Sequence, residues 1–175
     1  MLLATVLLMG LVLVAAVTDV LRRKIYNWTT YSGMMAALGL NGVGWGLVGW
    51  WEGVIGLLVC GFLMLVCYVM FRVGGGDVKL IAMLGAFLGP ERGIEAMLWT
   101  FVLGGCMGLI VLIWRVGPVR LAARAFRQVV YTLRLRRWSP LTSEERAQLQ
   151  PPLFLAPCAL VGVAIVRFSL LNWAM

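Results

Sequence analysis

Long apolar runs alternate with short polar breaks along most of the chain. The first run, Met1–Val17, gives way to Thr18-Asp19-Val20-Leu21-Arg22-Arg23-Lys24. The second, Trp28–Trp45, carries Thr29, Thr30, Ser32 and Asn41 among many small residues, so one of its faces is expected to meet protein rather than lipid. Gly53–Phe71 is an uninterrupted third run, Val78–Gly89 a short fourth, Gly93–Trp114 a fifth and Leu153–Trp173 a sixth. A helix of about 20 apolar residues crosses the ~30 Å hydrocarbon layer. The pattern therefore predicts an all-α integral membrane protein with six transmembrane helices in a single domain, residues 1–175. At ~1.5 Å per residue the fourth run reaches only ~18 Å. It either continues past Pro90 as a kinked helix or starts below the membrane surface.

Composition strengthens this picture. Hydrophobic residues make up 62% of the chain and charged residues 13%, too little polar surface for a soluble domain. The first run lacks a basic leading segment and a small-residue cleavage site, so it reads as a retained helix rather than a signal peptide. A net charge of +8 raises the question of a nucleic-acid partner. On the six-helix topology, however, thirteen of the fifteen cations fall on one side, all but Arg92 and Arg167. That is the signature of cytoplasmic loops, so both termini are predicted outside the cytoplasm and no nucleic acid is expected. The polar loop 115–150 holds eight arginines and two acids. Within it, Val119–Arg137 interleaves apolar and basic residues, predicting an amphipathic cytoplasmic helix on the anionic lipids of the inner leaflet. The four cysteines lie in apolar runs without CxxC spacing, and histidine is absent. They read as buried small hydrophobes, with neither a metal site nor a disulfide framework expected.

Chemistry concentrates at Val73-Gly74-Gly75-Gly76-Asp77-Val78-Lys79. Consecutive glycines accept positive φ and let another backbone come close, and Asp77 is placed to cap the helix that follows. The chain has only two aspartates, Asp19 and Asp77, each beside basic residues at the end of an apolar run. On the predicted topology both reach the cytoplasmic face from different helices. Singly, each could be an interfacial carboxylate offsetting Arg22, Arg23 or Lys79. Together they suit a carboxylate dyad that shares one proton and activates water against a peptide carbonyl, with no metal or cofactor. Lys79 is read either as a substrate or lipid-phosphate contact or as a cytoplasmic retention charge, and Asn27 as a residue that satisfies turn backbone.

At these residues the chain resembles the type IV prepilin leader peptidases, membrane aspartic proteases of the GxGD kind. The resemblance lies in Gly74-Gly75-Gly76-Asp77-Val78-Lys79 and the apolar continuation Leu80–Pro90. It extends to Asp19 at the end of the first span, before a basic stretch and Ile25-Tyr26-Asn27, where Tyr26 stands in place of the family's proline. The turn is therefore expected to be looser. The resemblance implies catalytic roles for Asp19 and Asp77, with Gly74, Gly76, Lys79 and Asn27 supporting the motif or binding substrate. It implies cleavage of a basic leader from pilin-like precursors with an apolar N-terminal helix, at the inner face of a bacterial cytoplasmic membrane. The cysteine-rich zinc segment of the long, methylating members is missing, so the short peptidase-only form is expected. Two other readings compete: a non-catalytic scaffold or assembly subunit that keeps the fold, and a small transporter using the two acids as proton carriers. The transporter would need acidic or polar groups deeper in the spans, whereas Glu52, Glu91 and Glu95 sit outside the bilayer on this topology.

Overall fold

The computed structural model describes residues 2–71, 74–116 and 155–168, and every regular element among them is a helix. These are α1 (Leu2–Arg22), α2 (Asn27–Phe71), α3 (Gly75–Val116) and α4 (Leu155–Arg167). The first three are long and apolar enough to cross a membrane, and α4 is a shorter apolar helix. The amphipathic helix expected over 119–137, and nearly all of the basic loop 115–150, lie outside the described residues.

Two glycines with positive φ break the long helices, Gly46 in α2 (φ 64°) and Gly89 in α3 (φ 80°). This is the left-handed region that glycine enters without a Cβ clash. Gly53 lies against Leu38, whose side chain would be 3.1 Å from a Cβ placed there. In a straight helix these residues would be about 22 Å apart along the axis. The chain therefore doubles back at Gly46, and Gly49 folds onto the Asn41 carbonyl. At Gly89 the same happens, since a Cβ on Gly93 would sit 3.0 Å from the Gly85 Cα. The short fourth run thus ends at Gly89, where the chain turns back rather than running on past Pro90 as one longer span. Trp50, Trp51 and Glu52 are wound into the second half of α2.

The chain divides into two compact units, Met1–Leu103 with Phe154–Met175, and Gly104–Leu153. Of the second, the described part is the last stretch of α3, where Cys106 is exposed rather than buried as expected. In the first unit, Leu80 through Ala86 are buried on every side, which makes the start of α3 its central helix. Around it pack Leu8, Val12 and Ala15 of α1, Cys60 and Met64 of α2, and Ala156, Ala159 and Val163 of α4. Each set repeats every three or four residues, one helical face apiece. Where α2 crosses α3, Gly56 and Gly85 meet backbone to backbone, and a Cβ on either would overlap the other's carbonyl.

The outside reverses the soluble pattern. Leu2, Val43 and Leu47 are 82%, 90% and 79% exposed. Of the polar residues of the second run, Thr29 and Thr30 turn inward and are buried, while Ser32 is exposed; the Thr30 hydroxyl donates to the Asn27 carbonyl at 3.0 Å. Asn41 does more. Four residues beyond Ala86 stands Pro90, which has no N–H to offer the Ala86 carbonyl. The Asn41 amide donates to that carbonyl instead, at 2.9 Å. Replacing Asn41 with leucine strands a part-buried acceptor, and a loss of about 1–3 kcal/mol is expected, read as a lower Tm in detergent.

Candidate active site

α1 stops because Arg23 enters the left-handed region at φ 51°. Its N–H donates to the Asp19 carbonyl at 2.8 Å, completing the last turn. The chain crosses Lys24, Ile25 and Tyr26 and re-enters helix at Asn27. Tyr26, in place of a turn proline, is held by its hydroxyl, which accepts a hydrogen bond from Arg22 at 2.7 Å. The looser turn expected at this position is thus tied back to the end of α1.

The glycine stretch behaves differently from its sequence expectation. α3 begins at Gly75, so Asp77 lies within the first helical turn rather than ahead of it. Its N–H donates to the Gly74 carbonyl at 3.0 Å. Among the described residues, positive φ at glycine occurs at Gly46 and Gly89, outside the triplet. What Gly76 provides is proximity: a Cβ there would stand 3.1 Å from the Cβ of Ile25. Lacking one, the start of α3 closes against the turn between α1 and α2.

This approach brings Asp19 and Asp77 to one recess of about 400 Å³, together with Arg23, Lys24, Ile25, Tyr26, Asn27 and Gly74–Gly76. Both aspartates are half-buried. A third element reaches the recess, one that sequence reasoning missed: the Ala156 N–H, in the first turn of α4, is directed at Asp19 Oδ2, 3.4 Å away. A main-chain donor 137 positions along the chain leaves no side-chain signal to find.

Lys79 and Asn27 are brought together, and the readings given to each from sequence change. The Lys79 ammonium donates to Asn27 Oδ1 at 2.9 Å and lies 5.2 Å from the centre of the Tyr31 ring. Asn27 thus spends its side-chain oxygen on α3 rather than on the turn backbone, and Lys79 straps the starts of α2 and α3 beside the recess. A second recess, about 410 Å³, opens at the opposite end of these helices and includes neither aspartate.

A family model described as the type IV leader peptidase family matches residues 6–109, more than half of the chain. The chain belongs to this family. The match takes in both aspartates, the glycine stretch and the two glycine kinks, and ends before the arginine-rich segment. It fits the short, peptidase-only form, since the matched stretch has no cysteine-rich insert. No curated protein and no solved structure matches the chain. The peptidase is thus a membrane protease of the prepilin-processing kind, with long apolar helices and a half-buried pair of acids at one end of its first unit. The α4 contribution at Ala156 lies beyond the matched stretch.

Proposed function

We propose that the peptidase is an aspartic endopeptidase that removes the basic leader from pilin or pseudopilin precursors, with Asp19 and Asp77 as its catalytic pair. One observation carries this reading: the chain's only two aspartates, 58 positions apart (77 − 19), line a single recess. Two carboxylates sharing a site do not both ionise cheaply, so one keeps its proton. The ionised partner takes a proton from a water molecule, whose oxygen attacks the scissile carbonyl. The protonated partner donates to the developing oxyanion; as the intermediate collapses it recovers that proton, and the aspartate that took the water proton gives it to the leaving amine. The proton inventory closes within the pair, and no metal or cofactor is needed.

The glycine reversals support six membrane crossings, two each in α2 and α3. On the positive-inside pattern the recess faces the cytoplasm of a bacterial inner membrane, with both termini on the other side. A precursor's apolar N-terminal helix would lie against the lipid-facing spans while its basic leader stays in the cytoplasm, near the aspartates. The arginine-rich segment would rest on anionic inner-leaflet lipids.

Co-expression with a pilin-like precursor tests the reading, by following the mobility shift of the mature product on a gel. Cleavage that depends on Asp19 and Asp77 is the expected result. Function that survives the loss of both acids belongs instead to a scaffold or assembly subunit. A finer test concerns α4. Proline is tolerated in a first helical turn, so Ala156→Pro removes one N–H with little cost to the helix. Losing a hydrogen bond to a charged group is expected to lower kcat about tenfold, with precursor affinity unchanged. An unchanged kcat would remove Ala156 from the site.

A further inference from the structure

The recess at the far end of the helices from the aspartates has a composition of its own. Its polar rim holds Glu52 and Glu91 against Arg92 and Arg167, so its formal charge sums to zero with both signs present. Glu52, Glu91 and Arg92 are exposed, while Arg167 Nε donates to Thr5 on α1 at 2.8 Å, fixing one cation in the wall. Below the rim the lining turns apolar, with Leu8, Leu40 and Phe87. Gly44 leaves the side open, since a Cβ there would meet nothing within 4 Å. Trp45, 64% exposed, stands at the edge, the aromatic type that settles at the level of lipid headgroups. The volume, about 410 Å³, is within the range of small-molecule sites.

We propose that this recess binds the headgroup of a zwitterionic phospholipid bearing a primary ammonium, a phosphoethanolamine group, with its acyl chains on the apolar wall. Arg92 faces the phosphate, to which a guanidinium donates two parallel hydrogen bonds. Glu52 and Glu91 accept from the ammonium. A singly anionic headgroup answers only the arginines and leaves two carboxylates beside its own charge. A quaternary ammonium satisfies the charge but has no N–H to donate. The site is therefore ordered phosphoethanolamine over phosphocholine over phosphoglycerol. Its position, opposite the aspartates, makes it a lipid site of the outer leaflet on the topology proposed above, while the binding chemistry stands independently of which residues cut the precursor.

The test uses the full chain in detergent, with phosphatidylethanolamine, phosphatidylcholine or phosphatidylglycerol of matched acyl chains added at equal mole fraction. Retained lipid is counted by native mass spectrometry, and Tm is followed in parallel. Phosphatidylethanolamine is expected to be retained about tenfold over phosphatidylglycerol, the worth of one charge-assisted hydrogen bond. Glu52→Gln should erase that preference, whereas Arg92→Gln should weaken retention of phosphatidylethanolamine and phosphatidylglycerol both, and Arg92→Lys should keep part of it. Soluble glycerophosphoethanolamine forms the second arm: competition by it places recognition in the headgroup, and its failure to compete places it in the acyl chains and overturns the proposal. Equal retention of all three lipids, a preference unchanged in Glu52→Gln, or retention unchanged in Arg92→Gln overturns it as well. If Glu52→Gln does not fold, Glu91→Gln carries the same comparison. Leader cleavage in Asp19→Asn is a separate readout, so a failed lipid preference leaves the peptidase reading untouched.

Discussion

Asp19→Asn and Asp77→Asn are each expected to lower leader cleavage by at least about 10³-fold while the protein still inserts and folds. Asparagine keeps the size and most of the polarity of aspartate, so the Gly74–Asp77 turn and the Ala156 contact lose little. It has no carboxylate to take a proton from water and no acid proton to give. Positioned acid–base groups contribute about 10²–10⁴-fold each, and groups that work as one unit are far from additive. The double variant should therefore be scarcely worse than either single one. The measurement is precursor turnover in membranes containing equal amounts of each variant. Cleavage within a few-fold of the parent in either Asn variant would end the two-carboxylate mechanism and leave a leader peptidase that works by other residues.

Gly85→Ala is expected to destabilise the fold strongly. The new Cβ would overlap the Gly56 carbonyl oxygen and lie 2.8 Å from the Cys60 Cβ, and neither atom is the loose end of a flexible side chain. The crossing of α2 and α3 would have to widen, and overpacking of this kind costs about 1–3 kcal/mol or more. Because Gly85 lies on the helix that begins with Asp77, the shift should also reach the recess. Lower Tm in detergent and reduced cleavage are expected together. Gly39→Ala is the control: a Cβ there meets nothing within 4 Å, and alanine favours helix over glycine. It should be neutral or slightly stabilising. Matched Tm values for the two variants would mean that the glycine crossing is not tightly packed.

These expectations divide by where their information resides. That the chain is apolar, helical and membrane-bound is written in local composition, because a helix satisfies its own backbone and needs only a long enough run of suitable side chains. The aspartates were legible for a related reason. An acid at the end of an apolar run is costly, and two such acids beside a glycine stretch form a pattern visible without coordinates. Gly46 and Gly89 stand at the ends of the second and fourth apolar runs, and Pro90 marks the latter, but no local feature showed that the chain reverses there.

Contacts between distant segments were another matter. Asn41 looked like one more polar residue of a weak span until Pro90 left the Ala86 carbonyl without a donor. Lys79 and Asn27 each invited a separate role, and the hydrogen bond between them spans 52 positions. Ala156 could not be singled out at all, since its part is played by a main-chain N–H identical to every other.

By itself, the sequence determined the helical class, the membrane as solvent and the identity of the two acids, since each depends on side chains within one run. Tertiary structure decided which glycines reverse the chain, which amide faces Asp19 and that both aspartates open onto the same recess. The physical reason is that these outcomes depend on how closely two backbones approach, and that distance is set by atoms far apart in the chain.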